Sequence, residues 1–257
     1  MAMNPTVRDW RGRRVWIVGA STGIGAALAE TLIGAGARVA LSARKREALD
    51  VLATKDPRTV VLPLDVTDAA QVNSAHATLV GHWGGIDDVL LVAGSYQAMR
   101  AWELDPEVVR KLFDVNVQGV VHVTAAVLPE FLRRGEGRIA IVSSVAGYRG
   151  LPKALAYGPT KAALINFAEG LYFDLAPKGI AVHVVNPGFV RTPLTDGNDF
   201  KMPALIEPSE AAAFTLRGIE RGHFEIHYPK RFTGWLKFFR LLPYRWYFPI
   251  AHRFTGL

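Results

Sequence analysis

The chain has 257 residues, half of them hydrophobic, and a formal net charge of +7. This length suits one large domain or two small ones with a sizeable core. The absence of cysteine excludes disulfides and thiolate metal sites and fits a reducing compartment such as the cytoplasm. Residues 1–14 are polar and basic, so we expect no secretory signal there. We also expect no membrane-spanning helix, because no stretch of about 18 uncharged apolar residues occurs.

The positive charge is concentrated near the end of the sequence. Residues 226–257 include six lysines or arginines and no acidic residue, whereas the rest of the chain is close to neutral. Nucleic-acid binding requires a basic face on the folded body. The charge distribution therefore argues against a nucleic-acid partner.

Short apolar runs alternate with segments of helical length. The runs predict strands at 15–18, 38–42, 60–64, 88–92, 138–142, 180–185 and 224–228. Helices are predicted at 23–33, 105–132 and 156–176. Continuous apolar strands separated by helices are typical of a parallel sheet covered on both faces. We therefore predict an α/β fold, a single-domain Rossmann-type doubly wound parallel sheet with helices on both faces.

A glycine-rich turn directly follows the first predicted strand. Residues 19–25 are Gly-Ala-Ser-Thr-Gly-Ile-Gly, and a predicted helix begins at Gly23. Glycines let the backbone turn tightly and approach a pyrophosphate, which then lies on the positive helix N-terminus. The spacing differs from the commonest dinucleotide fingerprint, and an ordinary glycine-rich turn is the alternative. The strand before and the helix after favour a dinucleotide site formed by Gly19, Ser21, Thr22, Gly23, Ile24 and Gly25.

The end of the second predicted strand distinguishes an NAD site from an NADP site. NAD sites usually place an acidic residue there for the ribose 2′-hydroxyl, and NADP sites place an arginine for the 2′-phosphate. Here Ser42 ends the strand, and the next three residues, Ala-Arg-Lys, include no carboxylate. A guanidinium binds a phosphate bidentately, so we assign Arg44 to the 2′-phosphate, with Lys45 in support. A solvated cation at a helix start is the alternative.

Tyr157 and Lys161 lie four residues apart in a predicted helix and therefore share one of its faces. A lysine ammonium near a phenol favours the phenolate, so the pair predicts a tyrosine pKa lowered from about 10 toward neutral. Such a tyrosine can move a proton on or off an alcohol oxygen. Alone the pair is weak evidence for a catalytic site, and the glycine-rich turn that precedes it in the chain supports this interpretation.

These elements and their spacing resemble the short-chain dehydrogenase/reductase family from about Arg13 to Thr192. Ser144 lies 13 residues before Tyr157, as the catalytic serine of that family does. The resemblance implies NADP or NADPH as the cofactor. It also implies cofactor contacts beyond the turn and Arg44, at Asp65, Val66, Ala93, Gly94, Asn116, Tyr157, Lys161, Pro187, Gly188, Val190 and Thr192.

The resemblance further implies a reaction, the interconversion of a carbonyl and a secondary alcohol, without a metal. Tyr157 would exchange a proton with the substrate oxygen, and Lys161 would lower the tyrosine pKa and bind the nicotinamide ribose. Ser144 would steady the substrate oxygen, and Asn116 would hold a water that relays protons. The alternatives are that the serine merely ends a strand and the asparagine merely satisfies backbone groups.

Two features depart from the family pattern. Leu91 and Val92 stand where the family usually has two asparagines, so apolar packing must replace hydrogen bonds there. Pro159 lies between Tyr157 and Lys161, and a helix accepts proline in its first turn. We therefore predict that the regular helix starts close to Tyr157.

The sequence divides into an NADP-binding catalytic body at 1–228 and a basic aromatic extension at 229–257. In the extension, Trp235, Phe238, Phe239 and Leu242 recur at the spacing of one helix face. A basic amphipathic helix of this kind suits contact with a membrane surface through residues 230–257. Packing on the body or on a second subunit, as a wall of the substrate pocket, explains the pattern equally well.

We expect a small-molecule ketone or alcohol substrate, apolar in character, in a pocket formed by residues 146–156 and 189–206. Tyr148, Leu151 and Leu155 are candidate lining residues. Oxoacyl thioesters, steroid-like or retinoid-like alcohols and xenobiotic ketones all remain open as substrates. The long helices predict a homodimer or homotetramer, in the cytoplasm, with peripheral membrane association as an open alternative.

Two other classes of protein share parts of this pattern. A non-catalytic NADP-binding module would lack at least one of Ser144, Tyr157 and Lys161, and all three are present. An epimerase or dehydratase of the same fold usually carries a larger substrate domain than the residues after Thr192 provide. Both considerations favour an oxidoreductase.

Overall fold

A parallel sheet forms the centre of the protein. The computed structural model describes residues 2–197 and 202–255. Its strands are β1 (Arg14–Val18), β2 (Arg38–Ser42), β3 (Val60–Val61), β4 (Asp88–Leu91), β5 (Gly137–Val142), β6 (Ile180–Pro187) and β7 (Glu225–Tyr228). They lie in the order β3-β2-β1-β4-β5-β6-β7, and every neighbouring pair is parallel.

Helices cover both faces of this sheet. They are α1 (Gly23–Gly34), α2 (Arg46–Ala53), α3 (Ala69–Trp83), α4 (Pro106–Phe113), α5 (Gly119–Arg134), α6 (Tyr157–Leu175), α7 (Pro208–Glu220), α8 (Lys230–Arg240) and α9 (Tyr244–Thr255). The core on one face includes Leu32 of α1 and Leu216 of α7. The core on the other includes Leu79 of α3, Val127 of α5 and Leu164 of α6. The predicted doubly wound α/β fold is confirmed.

Two elements differ from their predicted extent. The third strand is limited to Val60 and Val61, although the N–H groups of Leu62 and Leu64 still donate to the carbonyls of Leu41 and Ala43 at 2.9 and 3.2 Å. The predicted helix 105–132 is interrupted between α4 and α5 by a π-helical turn, Asp114–Gln118. By contrast, α6 begins at Tyr157, as Pro159 in its first turn predicts.

The continuous helical stretch Pro106–Arg134 has the length and hydropathy of a membrane span, with a mean hydropathy of 1.3 over its most apolar part. Its buried residues include Val123, Val127 and Phe131, which pack in the core on one face of the sheet. A helix buried in this way is apolar because it covers a sheet. Its composition is therefore explained by the fold.

A buried polar network occupies the edge where the strands begin. Arg138 donates to Asp88 at 2.6 Å and to Nε2 of His183 at 3.1 Å. The other ring nitrogen of His183 lies 2.5 Å from the carbonyl oxygen of His223. Burial, aided by the charge of Arg138, lowers the pKa of His183 to about 3. The imidazole is therefore neutral in the folded protein at neutral pH.

We expect this histidine to make the protein sensitive to acid. Below its ordinary pKa of 6.5 the unfolded chain binds a proton at His183 that the folded protein does not bind. The free energy of unfolding therefore falls as the pH decreases from 6.5 toward 3, by about 3 kcal/mol from this residue at pH 4. Urea unfolding of the wild type and His183→Asn at pH 7 and pH 4 measures the effect. Equal losses in the two proteins would contradict it.

Candidate active site

The strand order reverses between β1 and β4, and the candidate residues lie at the carboxyl ends of the strands around this point. Ligands of open α/β sheets bind in the crevice outside such a switch point. Gly19 follows β1, Ser143 and Ser144 follow β5, and Gly188 follows β6. Parallel strands thus bring segments distant in the sequence to one edge of the sheet.

The glycine-rich turn has no room for side chains at its two ends. Gly19 has a φ of +99°, and a Cβ there would collide with the backbone of Ala93. A Cβ on Gly25 would collide with the carbonyl oxygen of Gly19. Thr22 is the N-cap residue of α1, and its side chain makes no capping hydrogen bond. The Thr22 side chain therefore does not cap the first N–H groups of α1. An anion-binding turn requires such N–H groups to be available to the anion.

The segments after β2 and β3 lie at the same edge of the sheet. Arg44 is exposed just after β2, and the first turn of α1 contains no acidic residue. Asp65 follows the short β3, and its Oδ1 accepts hydrogen bonds from the N–H and hydroxyl of Thr67 at 2.9 and 2.8 Å. The neighbouring Val66 is buried.

Tyr157 and Ser144 meet at the start of α6. Their side chains are hydrogen-bonded, and Ser144 also accepts from the N–H of Ala146 at 3.1 Å. The Ser143 hydroxyl instead donates to the carbonyl of Lys161 at 2.7 Å. Of the two serines, Ser143 therefore joins β5 to α6, and Ser144 faces the tyrosine.

Gly147 allows the turn that carries Ser144 to approach α6 closely. A Cβ on Gly147 would lie 2.6 Å from the carbonyl carbon of Lys161. The turn after β5 and the first turns of α6 are thus in direct backbone contact. This contact fixes the position of Ser144 relative to Tyr157, and Gly147 carries no sequence signal that predicts it.

Lys161 is buried beside the tyrosine. Its Nζ donates to the carbonyl of Val142 at 3.1 Å and lies 5.6 Å from the centroid of the Tyr157 ring. Burial lowers the pKa of Lys161 to about 8. Burial also raises the pKa of Tyr157 to about 12, although the hydrogen bond with Ser144 acts in the opposite direction.

The lowered tyrosine pKa predicted from the sequence is therefore not found in the protein alone. Burial disfavours the charged form of each group, and the lysine ammonium is directed to the carbonyl of Val142. At neutral pH Tyr157 carries its proton.

Asn116 lies buried in the π-helical turn between α4 and α5. Its Oδ1 accepts from the N–H of Ser95 at 2.7 Å, and its Nδ2 donates to the carbonyl of Ser95 and the hydroxyl of Thr160. Both amide hydrogens are thus engaged. The remaining acceptor capacity of Oδ1 is the part of this side chain that could hold a relay water. A Cβ on Gly94 would lie 3.5 Å from this Oδ1 and 3.6 Å from Nζ of Lys161, so these groups adjoin.

Comparison with known proteins assigns this arrangement to a family. The family model for short chain dehydrogenases matches residues 13–201. A relative from Myxococcus xanthus, described as an uncharacterized oxidoreductase, is 36% identical over 235 residues, which cover 90% of this chain and 93% of that protein. The chain belongs to the short-chain dehydrogenase/reductase family.

Family members of lower similarity are named for different cofactors. The 2-dehydro-3-deoxy-L-rhamnonate dehydrogenase (NAD(+)) of a Sphingomonas strain is 32% identical over 188 residues, covering 73% of this chain and 76% of that protein. The crystal structure of a gluconate 5-dehydrogenase from Burkholderia cenocepacia, in complex with NADP and tartrate, is similar with a TM-score of 0.77. It is 25% identical and covers 85% of this chain and 94% of that one.

In the present chain, the loop after β6 lies against the glycine-rich turn. The N–H of Gly188 donates to the carbonyl of Tyr228 at 2.8 Å. Val190 is buried and bridges to Ile206. Thr192 reaches the turn, since a Cβ on Gly23 would lie 2.7 Å from its Cγ2. Residues 198–201, part of the predicted pocket segment, lie outside the described residues.

The departure of this chain from the family pattern at β4 is explained by packing. Leu91 is buried in the core on one face of the sheet, and Val92 packs against the core on the other. The N–H groups of Val92 and Ala93 both donate to the carbonyl of Val18 at 2.8 Å. Apolar contacts thus replace the amides, as the sequence predicts.

Two tyrosines near the site have roles that the sequence did not reveal. The ring of Tyr96 contacts that of Tyr157 edge to face, with centroids 5.0 Å apart. Its place two residues after Gly94 is the only signal that could have found it. Tyr148, a predicted pocket residue, is buried in the core and lines a cavity next to α9, and its hydroxyl donates to Glu225 at 2.5 Å. Leu155 is exposed and Leu151 is partly buried.

The extension borders a separate cavity of about 500 Å³. It lies between the body and helices α8 and α9, and Gly147, Gly158, Pro159, Arg240, Tyr244 and Tyr247 are among its lining residues. Among the residues that the structure describes, Ser144, Tyr157 and Lys161 do not line it. The prediction that the aromatic stripe walls the catalytic pocket therefore finds no support at this cavity. The start of α8 alone reaches the loop after β6, where the rings of Phe232 and Phe189 are 5.7 Å apart.

Proposed function

We propose that this protein is an NADP-dependent oxidoreductase that interconverts a carbonyl and a secondary alcohol on an apolar small molecule. The observation that carries the proposal is the hydrogen bond between Tyr157 and Ser144, with buried Lys161 beside them, at the switch point of the sheet. We further propose that it acts as a cytoplasmic homodimer or homotetramer.

The protonation of Tyr157 suits the reductive direction of this reaction. Since burial raises its pKa to about 12, the phenol has a proton to donate to a carbonyl oxygen at neutral pH. The Ser144 hydroxyl can donate to that oxygen before and after the proton moves. The reduced nicotinamide, when bound, supplies the hydride.

Lys161 provides the charge that the donation requires. With a pKa of about 8 it is mostly an ammonium at neutral pH, 5.6 Å from the tyrosine ring. A phenolate formed on Tyr157 is stabilised by this cation until a proton returns from solvent through groups near Asn116. The same charge lies next to Gly94, where the nicotinamide ribose would pass.

The chain's residues fit a dinucleotide with a 2′-phosphate. The turn from Gly19 to Gly25 packs its backbone closely at both ends and leads into the N-terminus of α1, where a pyrophosphate would lie on the first N–H groups of the helix. Arg44 is exposed after β2, where an adenosine ribose would lie, and neither of its sequence neighbours, Ala43 and Lys45, is acidic. The Burkholderia structure in complex with NADP supports the choice of NADP. Because the Sphingomonas relative is named for NAD(+), that choice is tested at Arg44.

We expect Arg44→Ala to weaken NADPH binding by about 10- to 100-fold and to leave NADH binding unchanged, because it removes charge-assisted hydrogen bonds to a phosphate. Titration of nicotinamide fluorescence measures both affinities. Arg46→Ala is the matched control, since Arg46 is an exposed cation already near Asp50, at 3.7 Å. Equal binding of NADPH and NADH by the wild type would contradict the NADP assignment, and binding of neither would contradict the proposed function.

A further inference from the structure

Helices α8 and α9 expose a concentrated group of large apolar side chains. Of fourteen such exposed side chains among the described residues, six lie within 235–248, namely Trp235, Phe238, Leu241, Tyr244, Trp246 and Phe248. Trp235 is 65% exposed and Leu241 is 80% exposed. Large exposed apolar patches usually mark a site of contact with a protein or a membrane. Trp235, Phe238 and Leu241 recur every three residues along one side of α8 and its end, and we call these three residues the aromatic face.

The aromatic face points away from the body because the other side of α8 is attached to it. Thr233 is buried and bonds the ring of His227 at 2.7 Å. Phe232 and Leu236 pack against the core of the body. Lys237 donates to Glu225 of β7 at 2.5 Å. The orientation of α8 is thus fixed by several contacts, and the predicted stripe of Trp235 and Phe238 lies on its outer side.

Arg149 holds the junction between the two helices. Its guanidinium donates to the carbonyls of Phe239 and Leu242 at 2.9 and 2.6 Å, at the C-terminal end of α8. The same group lies over the rings of Tyr244 and Tyr247, 4.6 and 4.2 Å from their centroids. Tyr247, the buried tyrosine of α9, donates to the carbonyl of Gly150 at 2.6 Å. Both helices are therefore held on the body with the aromatic face outward.

Cations accompany the aromatic face, and one of them, Lys237, is paired with Glu225 of the body. Residues 226–257 contain six lysines or arginines and no aspartate or glutamate. Arg231 lies four residues before Trp235 and seven before Phe238, so it shares their side of α8. Lys230 and Arg231 also line a hollow of about 500 Å³ together with Arg217 and Arg221. This end of the molecule thus combines tryptophan, tyrosine and phenylalanine with a cluster of positive charge.

We propose that the aromatic face docks on an anionic lipid bilayer. Tryptophan and tyrosine favour the boundary between headgroups and acyl chains, and lysine and arginine are attracted to anionic headgroups. A second copy of this chain fits less well, because a two-fold contact would bring the same predominantly cationic surface against itself. The inference does not depend on the proposed reaction, since it concerns a surface away from Tyr157.

Sedimentation of the full chain with vesicles tests this docking. We expect the wild type to sediment with vesicles of equal phosphatidylglycerol and phosphatidylcholine and much less with phosphatidylcholine alone. The variant Trp235→Ser/Phe238→Ser/Leu241→Ser should bind the anionic vesicles at least about tenfold more weakly. High salt should release the wild type, because it screens the charges of the headgroups.

The matched control is Trp102→Ser/Phe173→Ser, which removes two aromatic residues that are 80% and 79% exposed elsewhere on the molecule. This control should sediment as the wild type does. Circular dichroism establishes that each variant is folded. Equal sedimentation of the triple variant and the wild type would overturn the proposal. So would a change from dimer to monomer in light scattering of the triple variant without a change in lipid binding, which would identify a second copy as the occupant.

Discussion

Replacing Tyr157 with phenylalanine is expected to lower kcat for ketone reduction by about 10²- to 10⁴-fold, the range typical of a lost general acid. The substitution removes the hydroxyl that is bonded to Ser144 and keeps the ring that contacts Tyr96. Because the lost group acts on the reacting oxygen, we expect the affinity for NADPH to change far less than kcat does. The measurement is steady-state reduction of a ketone identified by screening with NADPH, alongside fluorescence titration of the cofactor.

Tyr148→Phe is the matched control for this substitution. Tyr148 is also buried near the turn after β5, but its hydroxyl donates a hydrogen bond to Glu225 on β7. Its loss should reduce stability by about 1 kcal/mol and leave kcat of the folded enzyme unchanged. A Tyr157→Phe enzyme with kcat within a few fold of the wild type would assign the proton transfer to another group. An equal loss in Tyr148→Phe would show that the effect is structural.

The pattern of strands and helices is predictable because each strand is buried on both faces. Val15 and Ile17 face one core and Trp16 and Val18 face the other, so β1 is an unbroken apolar run with no alternation. The elements that were predicted imperfectly are those that local propensity does not control. The π-helical turn at Asn116, for instance, has no signal in a segment of ordinary helical composition.

The residues of the candidate site are predictable from the sequence, but their pKa values are much less so. Spacing alone places Tyr157 and Lys161 on one helix face, and the structure brings Ser144 to them. The direction of the tyrosine pKa depends on how deeply both groups are buried and on what Nζ of Lys161 contacts, and no sequence pattern reports either. The same limit applies to Tyr148, whose neighbours in the sequence gave no indication of its bond to Glu225.

Replacing Lys161 with methionine is expected to stabilise the cofactor-free protein at pH 7 by up to about 3 kcal/mol. Burial lowers the pKa of Lys161 from 10.5 to about 8, so the folded protein holds this ammonium at a cost in free energy. The difference between the two pKa values corresponds to about 3 kcal/mol. Methionine has a similar length, carries no charge and suits an apolar environment.

The pH dependence separates this effect from a general improvement in packing. Between about pH 8 and 10.5 the unfolded chain binds a proton at Lys161 that the folded protein has lost, so this residue makes the wild type more stable as the pH rises. Lys161→Met lacks that gain. Its advantage in urea unfolding should therefore be largest at pH 7 and should shrink toward pH 10.5.

The exposed Lys178→Met serves as the control, and its stability should stay within about 0.5 kcal/mol of the wild type at both pH values. A Lys161→Met protein that is less stable than the wild type at pH 7, with the same pH profile, would refute the buried-charge argument. The expected variant is more stable and inactive, because the charge that destabilises the fold is the one that stabilises a phenolate on Tyr157. A destabilising residue of this kind is expected where its charge serves the proposed function.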